Sequence, residues 1–531
     1  MLLCALSAKY IHKTLAPWCL KSYCDTQGDW DISVLEASIN DDLSRVAREI
    51  FLREPQVIGL SCYIWNIDDT LRLSAMIKKM LPRSILVLGG PEVSFGGAYP
   101  PADYVIQGPG ELAFAQLLQQ LEQGKPPACA LLSAPIDPYP NLPSPYTPAY
   151  FASFGEGGIA NHLVYYESSR GCPFSCTYCL SSAMEGVSLK PLAHVFDELT
   201  LLLAHGARVI KFVDRTFNAN RLRAAEILSW ILALETSSTF HFEAAADLFD
   251  ERLLHLLSAM PKGRVQLELG IQSVHPPTLQ AIRREADTNV CLDTIGRLVA
   301  MGNCHVHVDL IAGLPHETME TFAHGVNTCI AVAPHMLQLG FLKVLRGTCL
   351  RRQSDAFGTI YHDHAPYEVV STNTLSTRDL IALKGVEDVI DKFYNSGMYP
   401  ASLAYAYTLF PSAYDCFATL AADCRGMNIR VSLKKSYAIL LDFLTRHGHP
   451  ERAAHCIRLD CLSFDAKGQL PDPLPPLRDK TVERNCREQG RRHVRAERFP
   501  DGALYLFDYD EIDPITRACR VEQVDDEALV P

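Results

Sequence analysis

The sequence predicts an α/β protein in three parts: an N-terminal doubly wound parallel sheet, a partial (β/α)6 barrel and a mostly helical C-terminal domain. Three observations carry this reading. Short apolar runs alternate with helical patterns over residues 1–130. Six longer β/α units follow between 163 and 346, after a stretch rich in Pro, Ser and Gly. Beyond 350 the alternation gives way to helical stretches separated by polar loops. The expected boundaries are 1–130, a linker at 131–160, the barrel at 161–350 and an accessory domain at 351–531.

In the first part the strands are expected at Leu2–Leu6, Ile32–Leu35, Val57–Cys62, Ile85–Leu88 and Tyr104–Ile106, with helical patterns between them. Ligands of such sheets bind outside the carboxyl ends of the strands. Those ends carry Ser61, then Gly89-Gly90-Pro91-Glu92, then Gly108, Gly110 and Glu111. Glycines there serve tight turns or the close approach of a ligand to the backbone. Two such clusters on one edge favour a large, flat ligand. No G-x-G-x-x-G follows the first strand, which argues against an ordinary dinucleotide site.

In the second part the strands are expected at Leu163–Glu167, Val209–Val213, Phe240–Ala244, Val265–Gly270, His305–Ile311 and Met336–Val344. Active residues of β/α barrels lie at the carboxyl ends of the strands. The first strand runs into SRGCPFSCTYCL, which places Cys172, Cys176 and Cys179 within eight residues. Later strand ends supply Asp214, Arg215, Thr216 and Asn218, then Glu243, then Glu268, Gln272 and Ser273, then Asp309. Each of these polar groups could bind a ligand or satisfy buried backbone.

Bulk properties narrow the function. The chain has 531 residues, 48% hydrophobic and 21% charged, enough for several buried cores. Its formal net charge is −12, so electrostatics gives no reason to expect a nucleic-acid partner. No apolar run reaches the ~20 residues a spanning helix needs. The start, MLLCALSAKYIHKT, lacks a basic segment ahead of a long apolar one, so a soluble, cytoplasmic protein is expected. There are 18 cysteines. In an unsecreted chain of this size they are no disulfide framework, and most are expected to be buried thiols. Cys416, Cys424, Cys456 and Cys461 fit no ligand spacing.

The trio at 172–179 differs. Structural zinc takes four ligands, and iron–sulfur clusters ordinarily take four cysteines. Three cysteines around a [4Fe–4S] cube would leave one iron open for a small chelating ligand. C-P-F-S-C-T-Y-C after a first barrel strand resembles the signature of the radical S-adenosylmethionine (radical SAM) superfamily. E-L-G-I-Q-S and D-L-I-A-G-L-P further resemble its coproporphyrinogen oxidase-like branch. The resemblance implies that the cysteines ligate the cluster and that the open iron binds SAM. It implies that SAM is cleaved reductively to a 5′-deoxyadenosyl radical. Tyr178 would lie beside the adenine, and Glu243, Glu268, Gln272, Ser273 and Asp309 would hold the rest of SAM.

A parallel β/α domain ahead of such a barrel resembles the cobalamin-binding domain of B12-dependent radical SAM enzymes. Ser61, Gly89, Gly90, Pro91, Glu92, Gly108, Gly110 and Glu111 would then line the cobalamin site. The loop after the first strand lacks D-x-H-x-x-G and carries KYIHKT, where His12 reads as a polar residue at a helix start. The segments around APYEVV and KFYNSG resemble an uncharacterised domain appended to such enzymes, of the DUF4080 type. Together these imply a cobalamin-dependent methyltransferase acting on an unactivated carbon of a small substrate, with an electron donor such as flavodoxin or ferredoxin. The alternatives are a non-methylating radical oxidoreductase, cyclase or rearrangement enzyme, and a non-catalytic cobalamin or iron–sulfur sensor.

Overall fold

The computed structural model describes residues 1–134, 137–183 and 186–524. The N-terminal strands are β1 (Leu2–Ser7), β2 (Ser33–Ser38), β3 (Val57–Ser61), β4 (Ile85–Gly89), β5 (Tyr104–Ile106) and β6 (Leu131–Leu132). They pair in the order β2-β1-β3-β4-β5-β6, and every pair is parallel. Helices pack on both faces, so β1 is buried along its whole length and shows no polar alternation. Strand order reverses between β1 and β3, which opens a crevice at the carboxyl edge. The two-residue β6 falls in the Pro-rich stretch read as linker; it is too short for periodicity to reveal.

The barrel begins with β7 (Leu163–Tyr166). A short antiparallel hairpin follows, β8 (Ser169–Gly171) with β9 (Val187–Leu189), and its connection is the cysteine loop. Then come β10 (Val209–Phe212), β11 (Thr239–Ala244), β12 (Val265–Gln272), β13 (His305–Ala312) and β14 (Met336–Phe341). The sheet order is β14-β13-β12-β11-β10-β7, all parallel. Phe212, Phe242, Leu267 and Val308 point outward into the helical layer and are fully buried. Their neighbours Lys211, Glu243, Glu268 and Asp309 alternate onto the lumen side and are half-buried.

Two short strands, β15 (Ile360–Tyr361) and β16 (Val369–Ser371), lead into a helical region. The chain closes with an antiparallel sheet of β17 (Val494–Arg498), β18 (Leu504–Ile512) and β19 (Cys519–Val524). One apolar core runs from Val164 of β7 through Phe393 and Phe443 to Cys519 of β19, so this region is built onto the barrel. Burial raises the Cys416 and Cys461 thiols to about 12, which marks them as packing groups. Among the described residues no helix is long and apolar enough to cross a membrane.

One helix of this region depends on a distant residue for its start. Pro400–Tyr407 has Tyr399 at its N-cap, with no capping side chain of its own. Asp460, from the helix Pro450–Phe464, accepts instead from the Ala401 and Ser402 amides at 2.9 and 2.8 Å. Asp460→Ala should therefore cost about 2 kcal/mol in a urea titration, because it strands two buried amides. A loss below a few tenths of a kcal/mol would contradict this.

Candidate functional site

The hairpin β8–β9 holds the cysteine loop by its base. Gly171 stands at φ +99°, and a Cβ there would fall 2.2 Å from the Gly186 carbonyl oxygen, so glycine is required. Asp214, buried after β10, accepts from the Ser168 amide at 2.9 Å, from the Ser168 hydroxyl at 2.7 Å and from the Ser169 hydroxyl. Asn218 is spent on the Ala245 backbone. Thr216 Oγ1 lies 3.5 Å from Cys172 Sγ. Cys176 is buried while Cys172 and Cys179 are half-buried, so the loop offers three thiols of graded exposure.

Arg284 was not singled out from the sequence, yet it touches this loop. Burial raises the Cys176 thiol, and the Arg284 guanidinium opposes that rise. The same guanidinium donates to the Gly270 carbonyl at 2.5 Å, which ties Cys176 to the end of β12. Tyr178 is half-buried beside Cys176 and Arg284, and burial holds its hydroxyl protonated. Gln272 sits at a bulge at φ +70°, with its amide over Gly270. A non-glycine residue in the left-handed region at a strand end is strained backbone.

Ser273 behaves differently from the expectation that it faces a ligand. It is buried, donates to Glu317 Oε1 at 2.6 Å and accepts from the His275 amide at 3.1 Å. Its one donor and one of its two acceptor positions are used on the protein. Glu317 is buried, and burial lifts its carboxyl to about 8 against the Ser273 bond.

Glu243, Glu268 and Asp309 are gathered in the lumen. Lys211 Nζ lies 3.0 Å from Glu268 Oε2 and 3.6 Å from Glu243 Oε1. Burial would raise Glu268, but His241 and Lys211 against it hold it down at about 2. Glu243 is raised, by burial first and then by Glu268.

At the carboxyl edge of the first sheet the expected residues divide. Ser61 Oγ is buried without a partner, and Gly108 is exposed at φ +76° with open space about it. Gly89 and Gly90 are half-buried; at φ +117° Gly90 lets the backbone pass the Cys62 carbonyl, where a Cβ would stand 2.5 Å away. Gly110 precedes the helix Glu111–Glu122, packed on Leu20. Pro91 and Glu92 form a tight turn whose acid points at another domain: Glu92 Oε2 accepts from Tyr367 Oη at 2.8 Å. Tyr63 and Trp65 stack at this edge with centroids 4.4 Å apart, an apolar wall with no motif to announce it. His12 stands apart from the first helix, which begins at Ala16; it contacts the Tyr165 hydroxyl and bridges to Leu163 of the barrel.

Glu111 and the cysteine loop meet at Arg170. Its guanidinium contacts Glu111 at 3.0 Å, Glu167 at 2.8 Å and Asp137 at 3.2 Å, and lies over the Tyr139 ring. Arg170→Met would leave Glu111 buried without a counter-charge. We expect a loss of about 3–5 kcal/mol by denaturant titration, partly restored when Glu111→Gln is added. Glu317 gives a second expectation, with its sign set by the raised carboxyl. The folded state keeps a proton that the unfolded state releases above its ordinary value of 4.5, so stability falls as pH rises towards 8. Glu317→Gln should gain on the wild type by about 1–3 kcal/mol between pH 5 and 8.5 in parallel thermal melts. Superimposable pH profiles would refute it.

Known proteins agree with this geometry. The B12 binding domain family matches residues 1–118, the radical SAM superfamily residues 166–328, and a family of unknown function, DUF4080, residues 355–516. The cobalamin-dependent radical SAM methyltransferase TokK of Streptomyces tokunonensis is 26% identical over 336 residues, 54% of this chain and 47% of that protein. The 2-(S-pantetheinyl)-carbapenam-3-carboxylate methyltransferase of Streptantibioticus cattleyicolor is 26% identical over 326 residues, 54% of this chain and 46% of that one. The chain thus spans about half the length of these curated relatives. OxsB, solved with aqua-cobalamin bound, has the same fold over 92% of this chain and 81% of its own, with a TM-score of 0.61 at 13% identity. TsrM of Kitasatospora setae, solved with cobalamin and a [4Fe-4S] cluster, gives 0.53 at 18% identity over 69% and 76%. Residues 166–328 of the chain thus match the radical SAM superfamily, with a B12 binding domain match ahead of them and a DUF4080 match behind.

Proposed function

We propose that this protein is a cobalamin-dependent radical SAM methyltransferase acting on an unactivated carbon of a small molecule. The observation that carries this reading is the Arg170–Glu111 ion pair, which holds the cysteine loop against the glycine-rich edge of the B12 binding domain. The curated relatives that cover 54% of this chain are named as methyltransferases.

Cys172, Cys176 and Cys179 would hold a [4Fe–4S] cluster, and three half-exposed to buried thiols on one loop suit it. Bound together, the cluster would supply the electron for SAM cleavage, and cobalamin would carry the methyl group. The chain's own residues then position and shield. Arg284 fixes Cys176 relative to β12 and offers a cation to a carboxylate. Tyr178 walls one side of the loop, while Glu243 and Gln272 stand at strand ends where polar groups of SAM can bind. On the B12 side the unpartnered Ser61 hydroxyl and the open backbone at Gly108 suit a polar ligand edge, and Tyr63 and Trp65 suit a flat apolar face. An electron donor such as flavodoxin or ferredoxin and a cytoplasmic setting complete the proposal; all 18 cysteines are unpaired, which a reducing compartment maintains.

Anaerobic reconstitution with iron, sulfide and cobalamin tests this. Incubation with SAM and reductant should yield both 5′-deoxyadenosine and S-adenosylhomocysteine, and Cys176→Ala should lower the 5′-deoxyadenosine rate by more than about a thousandfold, since the site is lost outright. 5′-Deoxyadenosine formed without S-adenosylhomocysteine would exclude methyl transfer.

A further inference from the structure

The chemistry proposed above draws electrons from outside the chain, so a carrier must reach the cysteine loop. Two backbone bonds fix where the loop meets its surroundings. The Thr177 amide donates to the Ile282 carbonyl at 3.0 Å, and the Leu350 amide donates to the Thr177 carbonyl at 2.8 Å. The peptide between Cys176 and Tyr178 is thus clamped between the end of the helix Pro276–Ala281 and the start of the helix Cys349–Arg352. Each clamp carries an arginine within two residues, Arg283 beyond Ile282 and Arg352 beyond Leu350, and both are exposed. Two residues span at most about 7 Å of chain, so both arginines start close to the loop that carries the thiols.

Arg283 occupies a position that favours glycine. It closes its helix at φ +54°, with its own amide donating to the Gln280 carbonyl and the Arg284 amide donating to Leu279. Left-handed caps of this kind are usually glycine, because a Cβ is strained there. The turn gives two successive arginines different surroundings. Arg284 lies on the Gly270 carbonyl and beside Cys176, whereas Arg283 faces solvent. A strained cap that presents a cation to water is not explained by packing.

Charge indicates what such a surface would receive. The chain has a formal net charge of −12, so an acidic carrier is repelled at long range and needs a local positive patch to dock. Residues 282–285 and 350–355 carry four arginines, 283, 284, 351 and 352, against the two acids Glu285 and Asp355. The loop itself adds an apolar element. Pro173 is exposed, and Phe174 is half-buried without joining any apolar core among the described residues. Cations and an apolar tip together suit a carrier that presents the flat apolar edge of a flavin among carboxylates.

We propose that Arg283 and Arg352, with the Pro173–Phe174 tip of the cysteine loop, form the docking surface for an acidic flavin carrier, a flavodoxin. This rests on the reading of the loop as the seat of a [4Fe–4S] cluster. One electron leaves the carrier's reduced flavin and is gained by the cluster; no bond forms or breaks between the two proteins.

The test uses the reconstituted full-length protein, its Arg283→Glu/Arg352→Glu variant and Arg283→Gly. 5′-Deoxyadenosine formation is driven either by dithionite, which needs no docking, or by a bacterial flavodoxin kept reduced by its reductase. We expect the double variant to hold the dithionite-driven rate within about twofold and to lose more than about tenfold of the flavodoxin-driven rate at low salt. That gap should narrow as salt is raised to about 0.5 M. Calorimetric titration with oxidised flavodoxin should show binding by the parent, weakened more than about tenfold in the double variant. Arg283→Gly should melt no lower than the parent, since it relieves the cap, yet lose about threefold of the flavodoxin-driven rate. Failure with dithionite would strike the radical reading itself. No flavodoxin binding by the parent, or equal affinity in parent and double variant, overturns this surface.

Discussion

The structure depends most on where the positive charge of Arg170 goes. Its side chain is largely buried, and three carboxylates from three parts of the chain surround it: Glu111 at the start of a B12-domain helix, Asp137 in the connecting stretch and Glu167 at the end of β7. A buried cation costs several kcal/mol to desolvate and recovers that only when its counter-charges sit correctly. The arrangement therefore specifies geometry more than it adds stability. Arg170 lies two residues before Cys172, so whatever fixes the guanidinium also fixes the base of the cysteine loop. Through this one ion, Glu111 of the first domain is tied to Glu167 and the base of the cysteine loop.

The C-terminal region braces the same junction from the other side. Tyr367 donates to Glu92 beneath the glycine-rich turn, and Arg346 donates to Tyr99 in the same domain. The Leu350 amide donates to the Thr177 carbonyl within the cysteine loop at 2.8 Å. Val369 packs on Gly313, and Thr374 donates to the Glu317 carbonyl at 2.6 Å. These contacts reach the B12 domain, the loop and the end of β13 in turn. A domain with no motif of its own thus acts as a frame for the carboxyl ends of both sheets.

Much of this was legible in the sequence, for a physical reason. Parallel strands covered on both faces read as dense apolar runs, and the strands from β1 to β5 and the six long barrel strands fall where those runs lie. The C-x3-C-x2-C spacing is local, so it survives without coordinates. What could not be read is whatever topology assembles. Arg170 and Arg284 acquire partners distant in the chain, Glu111 for the first and Cys176 for the second. Glu92 and Ser273 looked like ligands because they occupy strand ends, yet each is spent on a protein partner, Tyr367 in one case and Glu317 in the other. Strand-end position says that a side chain is near the edge, and only packing decides whether it faces inward to a ligand.

The lumen completes the argument. In a closed β/α barrel the interior is filled by layers of branched apolar side chains and serves as a core. Here the interior positions are Lys211, His241, Glu243, Glu268, His307 and Asp309, while the apolar layer has moved outward onto Phe212, Phe242, Leu267 and Val308. Six strands whose end members do not pair leave that interior open along one side. The barrel therefore draws its stability from the sheet-to-helix layer and keeps its centre for polar chemistry. Charged groups brought together in such a chamber must neutralise one another or await a charged guest. Lys211 pairs with Glu268 and His307 with Asp309, while burial raises Glu243, so the chamber balances most of its charge within the protein.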